Sequence, residues 1–337
     1  MAQNDDIWSQ LLFFESSQYA ASRFKEFHGG EANAAKLAEI GSSIRQARLF
    51  HESFIAADFV VKPLILYYSN LALSRALILF LDAKKREANL AKQHGLGIVG
   101  WSEFLNQQSS QFSDLKVKIE NGTFLELLEA TKNINLVRAN SSAVNYHLAY
   151  PAPPAGMEVT LDELCRRIPD LGDEYEKWSG SKITAAKLLS VTSKGSDVEV
   201  KIENQKRFSG SDALEEQFLK SIFPKAKSFD LTKQTIIVGA DGLPIISDII
   251  ETAPFQIGDG IVLPRINDEV LSNIGLLFAL SYALGMLARY YPSHWISLQS
   301  LGPKGHFFPY CMRLLDYIGY SFPRMSVDVF ANLNRLK

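Results

Sequence analysis

The sequence has few cysteines and lacks the short motifs that mark several common enzyme classes. Cys165 and Cys311 are the only cysteines among 337 residues, and neither belongs to a pair with the spacing of metal ligands. We therefore expect no structural zinc site and two reduced thiols. The patterns GxxxxGKS/T, GxSxG and HExxH are absent. Their absence argues against a P-loop, an esterase nucleophile and a zinc protease, and we expect neither a cofactor nor a metal.

The sequence also lacks an excess of charge of either sign. It has 35 Lys and Arg against 37 Asp and Glu, a formal net charge of −2. Proteins that coat nucleic acid are usually strongly basic, so that class is not favoured, although a local basic site is compatible with this balance. The first six residues are polar and acidic, where a secretion signal would be basic and then apolar. This composition predicts a cytoplasmic protein.

Two long apolar runs raise the question of a membrane. The run 63–81 contains Arg75 near its middle, and an arginine is costly in lipid. The run 270–288 has no charged residue, and its length just reaches the roughly 20 residues that a spanning helix needs. It does contain the polar residues Ser272 and Asn273. We expect both runs to be helices of a protein core, with no membrane partner; a membrane span at 270–288 is the alternative.

The chain divides into helical, β-rich and again helical stretches. In residues 1–150 the apolar residues recur at helical spacing, which predicts the N-terminal part of a bundle. Residues 151–265 open with a proline-rich linker and then show strand patterns at 198–202 and 235–238. Residues 266–337 return to helical spacing and complete the bundle. The predicted class is α+β, mainly α: a helical bundle core with a small antiparallel β insertion.

Several short motifs follow one another along the chain: Trp8-Ser9, the run 62–68 (KPLILYY), His94-Gly95-Leu96, Leu161-Asp162-Glu163-Leu164 and the run 288–295 (ARYYPSHW). In this order they resemble the YaaC-like family. The resemblance extends over most of the chain. It implies a bacterial cytosolic protein that has a helical core, a β-containing insertion and no assigned activity.

The run 289–294 also resembles the motif of HEPN domains, which are helical bundles and often dimers. Many of them carry an arginine and a histidine separated by four to six residues near the end of a long helix, and four residues separate Arg289 from His294. The resemblance implies metal-independent RNA cleavage, in which a 2′-hydroxyl attacks the adjacent phosphate, the histidine moves a proton and the arginine stabilises the phosphorane. Two residues depart from the catalytic pattern: Tyr290 replaces a polar residue, and Pro292 lies inside the motif.

Two functions of different kinds follow. The first is an HEPN-like effector of a defence or toxin type that cleaves or binds RNA, with Arg289 and His294 as catalytic residues; as an enzyme it would be a metal-independent endoribonuclease. The second is a non-catalytic scaffold that uses the same bundle as a homodimer or higher homo-oligomer and binds a protein partner. Under the second, Arg289 only ends its helix, where a cation is favoured by the helix dipole.

Three other histidines and one arginine have simpler interpretations. His147 lies too far from the preceding arginine for the same motif. His94 is predicted to pack in a turn, with a ligand in a loop as the alternative. His51 has charged neighbours along its helix and is predicted to lie on a solvated face. Arg75 is expected to meet a carboxylate or to point into a polar cleft, because an unpaired buried charge is costly.

Overall fold

The computed structural model describes residues 2–107, 111–138, 145–148, 150–183, 185–194, 197–204, 220, 226–230, 232, 235–239, 250–252, 260–263, 266–267, 269–299, 306–333 and 336. The chain separates into two compact units. Unit 1 comprises Met1–Asn133, Ala152–Leu161 and Ile274–Lys337; unit 2 comprises Ile134–Pro151 and Asp162–Asn273.

Helices dominate the described part of unit 1, and most of the strands lie in unit 2. The helices are α1 (Ala2–Leu12), α2 (Ser17–His28), α3 (Ala34–Ala56), α4 (Lys62–Leu81), α5 (Trp101–Leu105), α6 (Thr123–Ala130), α7 (Leu161–Cys165), α8 (Gly172–Ser179), α9 (Asn273–Tyr290), α10 (Pro292–Ser297) and α11 (Phe307–Ala331). The strands are β1 (His94–Val99), β2 (Lys116–Gly122), β3 (Asn135–Arg138), β4 (Asn145–Leu148), β5 (Glu158–Thr160), β6 (Ala186–Lys194), β7 (Asp197–Asn204), β8 (Ala226–Asp230), β9 (Thr235–Gly239), β10 (Ile250–Thr252) and β11 (Gly260–Val262).

The strands form three small antiparallel sheets. Unit 1 holds the sheet β1-β2-β5, and unit 2 holds the six-stranded sheet β10-β11-β6-β7-β9-β8 and the pair β3-β4. The strands predicted at 198–202 and 235–238 correspond to β7 and β9, and Val200 and Ile202 of β7 are buried. The predicted α+β, mainly α, class is therefore confirmed.

The two long apolar runs form buried helices. In α4 the buried residues cover every side of the helix, which contacts α3, α6 and α11. By length and composition, α4 is the one helix of the described residues that could cross a membrane, but 78% of its apolar window is buried inside the protein. In α9 every residue from Ile274 to Leu287 is buried. The burial predicted for both runs is confirmed.

Lys36 is a buried cation that holds the turn after α4. It is 2% exposed, and its ammonium donates hydrogen bonds to the carbonyl oxygens of Asp82 at 2.7 Å, Ala83 at 3.3 Å and Lys85. A cation is favoured there because the carbonyls at a helix C-terminus lack partners within the helix.

We expect Lys36→Met to lower the free energy of unfolding by about 2–3 kcal/mol, since three carbonyl oxygens lose a charged donor. Urea denaturation measures the cost, and Lys84→Met, at an exposed lysine, is the control; identical curves for the two variants would contradict this role.

His51 is buried, so the solvated position predicted for it is wrong. It is 4% exposed, and its ring lies 4.9 Å from the ring of Trp8 and 5.7 Å from that of Phe54. The spacing of Ala47, His51 and Phe54, four and then three residues apart, puts the histidine on the buried face of α3. Burial lowers the pKa of His51 from 6.5 to about 4.

This lowered pKa predicts a loss of stability in mild acid. The unfolded chain takes up a proton at its ordinary pKa, whereas the folded chain does so only near pH 4, so protons favour unfolding between these values. We expect His51 to remove about 2 kcal/mol of the free energy of unfolding between pH 7 and pH 5. Urea denaturation at pH 7 and pH 5 gives the difference in the free energy of unfolding between the two pH values. This difference should be smaller in His51→Leu than in the original chain, but unchanged in His306→Leu, which alters an exposed histidine. An unchanged difference in His51→Leu would contradict the assignment.

Candidate functional site

Arg289 and His294 lie on either side of the break between α9 and α10. Arg289 is in the last turn of α9 and is exposed. Its Nη1 donates a hydrogen bond of 3.1 Å to the hydroxyl of Tyr68, and its Cζ lies 5.0 Å from the centre of the Tyr290 ring. His294 lies half-buried in α10, with its ring 6.5 Å from that of Tyr291.

A buried tryptophan anchors the short helix that carries His294. Trp295 has no exposed surface, and its Nε1 donates a hydrogen bond of 3.0 Å to the carbonyl oxygen of Phe59. Its ring stacks on the Phe59 ring at 4.3 Å. Pro292 is at the first position of α10, where its missing N–H costs no hydrogen bond. The residue before the anchor, His294, is therefore held on an ordered element.

A buried tyrosine and a half-buried histidine meet where α4 approaches β1. Tyr67 is fully buried, and its hydroxyl oxygen lies 2.6 Å from Nδ1 of His94, so the two share a hydrogen bond. The ring of Tyr282, from α9, lies 5.5 Å from the Tyr67 ring and 5.9 Å from the His94 ring. Three elements of unit 1 thus contribute rings to one site.

Two glycines of the sheet allow His94 to reach this position. His94 pairs with Gly122, and the register between β1 and β2 shifts between His94 and Leu96. Gly95 has a φ of +79°, and a Cβ at Gly122 would lie 2.4 Å from the backbone nitrogen of Gly95. The turn predicted for His94 is wrong: the residue begins a strand at an irregularity that only glycines permit.

A third glycine brings α9 close to α4. A Cβ at Gly285 would lie 3.0 Å from Cβ of Tyr67 and 3.4 Å from the carbonyl oxygen of Pro63. A larger residue would push the helices apart. The position of the Tyr67 side chain is thus fixed by close packing of two buried helices.

Residues 95–100, Gly-Leu-Gly-Ile-Val-Gly, have the glycine spacing of a dinucleotide-binding loop. Such a loop joins a parallel strand to the start of a helix that covers the pyrophosphate. Here the glycines run along β1, which pairs antiparallel with β2, and the helix that follows has five residues. Because the structural context is different, the spacing does not indicate a nucleotide site.

Burial and positive charge both act on the histidine. Burial lowers the pKa of His94, and the nearby charges of Arg289 and Arg75 lower it further, so its imidazole is neutral at pH 7. Burial raises the pKa of Tyr67 well above its usual range, which keeps its hydroxyl protonated. The pair therefore presents neutral hydrogen-bonding groups beside two guanidinium cations.

Arg75 lies on α4, seven residues after Tyr68 and therefore on the same side of the helix. Its Nε is buried, and its side chain makes no hydrogen bond and no ion pair among the described residues. The carboxylate partner expected for Arg75 is not found there. The alternative, a polar surrounding, is present, because Arg75 is close enough to lower the pKa of both His94 and Tyr67.

These side chains form one group, which we call the arginine–histidine cluster: Tyr67, Tyr68, Arg75, His94 and Arg289. Of the two residues predicted to be catalytic, the structure brings Arg289 into the cluster and places His294 beside Tyr291, whose hydroxyl lies 3.0 Å from the hydroxyl of Ser102. The pair of His94 and Tyr67 was not predicted, because 27 residues separate them and no spacing rule links a helix to a strand. The described residues hold no group of three or more His, Cys, Asp or Glu side chains placed to bind a metal ion.

A surface depression of about 470 Å³ lies on unit 1, and Gly122 of β2 forms part of its lining. Its polar lining includes Gln93, Asn121 and Glu129. An ion pair between Lys85 and Glu126, at 2.5 Å, occupies part of it. Because its cation and one of its carboxylates already neutralise each other, the depression is a weaker candidate for an anion site than the cluster.

Comparison with known proteins identifies a family. A family model described as YaaC-like protein matches residues 12–329, which is most of the chain. The resemblance expected from the short motifs is thereby confirmed. No curated protein and no solved structure matches the chain.

Proposed function

We propose that this chain, which belongs to the YaaC-like family, is a cytoplasmic RNA-binding protein that cleaves RNA without a metal, using Arg289 and His294 as catalytic residues. The observation that carries the proposal is the exposure of Arg289 and the identity of its hydrogen-bond partner. Its guanidinium is exposed at the end of α9 and donates a hydrogen bond to the hydroxyl of Tyr68, rather than to a carboxylate. Guanidinium groups of this kind bind phosphate oxygens well, through two parallel hydrogen bonds.

The proposed reaction is a transesterification within the RNA. A base takes the proton of a 2′-hydroxyl, the oxygen attacks the adjacent phosphorus, and the bond to the 5′-oxygen breaks as an acid gives that oxygen a proton. The products are a 2′,3′-cyclic phosphate and a 5′-hydroxyl. Arg289 stabilises the charge of the phosphorane, and His294 moves a proton. Because the reaction uses both an acid and a base, we propose a homodimer in which each protomer supplies one His294.

Two residues between the proposed catalytic pair depart from the HEPN pattern, and their positions fit the proposal. Tyr290 is 55% exposed, and its ring lies under the guanidinium of Arg289. An exposed aromatic ring beside a cation is the arrangement on which an unpaired base stacks. Pro292 starts α10, so the break in the helix turns the chain between Arg289 and His294.

The test is cleavage of labelled single-stranded RNA by the purified protein in EDTA. We expect fragments that end in 2′,3′-cyclic phosphate and no cleavage of DNA of the same sequence, since DNA lacks the attacking hydroxyl. A chain that carries both Arg289→Ala and His294→Ala, purified in the same way, is the blank for contaminating nucleases. Absence of cleavage with every RNA tested, or equal cleavage by the blank, would overturn the proposal.

A non-catalytic scaffold is the second candidate, and an apolar surface on the N-terminal helices favours it. Leu12 is 48% exposed and Phe13 is 60% exposed, and the ring of Phe13 lies 5.5 Å from that of Tyr19. Contiguous exposed apolar side chains often mark a protein interface. If this surface binds a second copy of the chain, Phe13→Asp should convert a dimer to a monomer in sedimentation; a dimer that survives the change would contradict it.

A further inference from the structure

We infer that the guanidinium groups of Arg75 and Arg289, together with Nε2 of His94, form a binding site for a phosphate-type oxyanion. This inference deepens the proposed function, on which it rests for the source of the anion: a phosphodiester of RNA. The site differs from the motif pair because it uses His94, from β1, instead of relying on His294.

Arg75 and Arg289 lack the carboxylate partner that several other described arginines have. Those pairs are Arg23 with Glu26, Arg48 with Glu15 and Glu52, Arg86 with Glu39, Arg166 with Asp162 and Arg324 with Asp328. Among the described residues, no carboxylate forms an ion pair with Arg75 or Arg289. Their combined positive charge is therefore available to an anion from outside the chain.

Arg75 provides the strongest part of the argument. Its Nε is buried and has no acceptor within the described residues. A buried charged donor without an acceptor destabilises the fold, so a protein that keeps one commonly uses it for binding. An oxyanion bound at the guanidinium would supply the missing acceptor.

His94 is oriented to add a hydrogen bond to the same anion. Its Nδ1 is engaged by the hydroxyl of Tyr67 at 2.6 Å, so Nε2 is the ring nitrogen left for a ligand. When the protonated Tyr67 hydroxyl donates to Nδ1, the neutral ring carries its proton on Nε2 and donates from there. The arrangement parallels other sites in which a second group fixes the tautomer of a histidine.

Two donors of the site, His94 and Arg289, are held by hydrogen bonds to tyrosines, which favours specific binding. Gly285 allows α9 to pack against Tyr67, and the contact between Gly95 and Gly122 fixes the start of β1. Tyr68 holds Arg289 through its hydroxyl. Donors that are already positioned lose little conformational entropy when the anion binds.

Among the described residues, Glu120 is an acidic group whose charge reaches Tyr282, the ring beside Tyr67 and His94. Burial raises the pKa of Tyr282, and the charge of Glu120 raises it further. A Cβ at Gly97 would lie 2.6 Å from Oε1 of Glu120. Glu120 is exposed and forms no ion pair with Arg75 or Arg289. It therefore leaves the two cations uncompensated, and a negatively charged ligand is the class that fits.

The test is a titration of the purified full chain with inorganic phosphate, followed by NMR of the histidine rings. The His94 signal is assigned by its loss in His94→Gln. We expect this signal to shift as phosphate binds, and Arg75→Gln and Arg289→Gln each to weaken binding about tenfold or more, since each removes a charged donor. Arg45→Gln, at an exposed arginine of α3, should bind as the original chain does. If the His94 signal does not shift, or if Arg289→Gln binds phosphate as tightly as the original chain, the proposed binding site is wrong. Because Arg289 is exposed, Arg289→Gln keeps the test valid even where Arg75→Gln does not fold.

A second arm identifies the source of the anion. A thymidine dinucleotide carries a phosphodiester but no 2′-hydroxyl, so it binds without being cleaved. Competition between this dinucleotide and phosphate at His94 supports a phosphodiester ligand, whereas binding of free phosphate alone would overturn that assignment. Phosphate binding without RNA cleavage would refute the proposed activity and leave the site intact; cleavage that is unaffected by Arg75→Gln would refute the site and leave the activity intact.

Discussion

Replacing Arg289 by alanine is expected to slow RNA cleavage about 10²–10³-fold. In the proposed reaction the guanidinium stabilises charge that develops on the phosphorane, and the loss of one donor of this kind has a comparable effect on known enzymes. His294→Ala is expected to slow cleavage by a comparable factor, about 10²–10⁴, because it removes a proton carrier. Initial rates on one labelled RNA in EDTA measure both effects.

The fold should survive Arg289→Ala, so the loss of rate in that variant can be assigned to chemistry. Arg289 is exposed and gives up one hydrogen bond, to the hydroxyl of Tyr68. Changes at such positions usually alter stability by less than about 0.5 kcal/mol. Arg45→Ala and His306→Ala, at exposed residues of the same types, are the matched controls and should retain the original rate. Cleavage that persists in both Arg289→Ala and His294→Ala would show that the site lies elsewhere or that a contaminant is responsible.

The fold class could be predicted because it depends on local patterns. Alternation of apolar and charged residues at 198–202 identified β7, and continuous apolarity at 63–81 identified a helix surrounded by others. Each signal lies within a few residues of sequence, where the period of a strand or helix appears directly. The end of α9 at Tyr290, before Pro292, was predictable for the same reason.

The burial of His51 shows where local patterns mislead. Its neighbours Arg48 and Glu52 are charged and form an ion pair at 2.8 Å along the surface of α3. These neighbours suggested a solvated face. Adjacent helical positions point in directions about 100° apart, however, so a buried residue can lie directly beside a charged one. The contact with Trp8, from α1, depends on the packing of two helices, which the sequence pattern does not specify.

The arginine–histidine cluster was only partly predictable for the same physical reason. The position of Arg289 at a helix end follows from its neighbours in sequence, whereas its approach to Tyr68 joins residues 221 positions apart. His94 joins the cluster through a strand irregularity at Gly95 and Gly122. A glycine-rich segment next to a histidine indicates an unusual backbone, but it does not indicate which side chain the histidine will meet.

Gly122→Ala is expected to destabilise unit 1 by about 3–4 kcal/mol. The residue has a φ of +153°, which residues with a Cβ rarely adopt. Its Cβ would lie 2.4 Å from the nitrogen of Gly95, 2.6 Å from the Cα of Gly95 and 2.7 Å from the carbonyl oxygen of Gln93. All three are backbone atoms, so no side chain can rotate away, and the strain of an unfavourable φ adds to the cost of overpacking. Urea denaturation gives the change in the free energy of unfolding.

Gly100→Ala separates the two causes. Gly100 also has a positive φ, +65°, but a Cβ there would meet nothing within 4 Å. Gly100→Ala should therefore lower the free energy of unfolding only by the cost of the unfavourable φ, about 1 kcal/mol.

Where Gly122→Ala remains folded, relief of the clash requires β1 to move away from β2, and the hydrogen bond between His94 and Tyr67 should lengthen or break. The His94 ring signal reports this directly: a large shift in Gly122→Ala and none in Gly100→Ala is the expected result. Equal costs for the two variants, or an unmoved His94 signal in both, would show that the contact between Gly95 and Gly122 does not position the histidine.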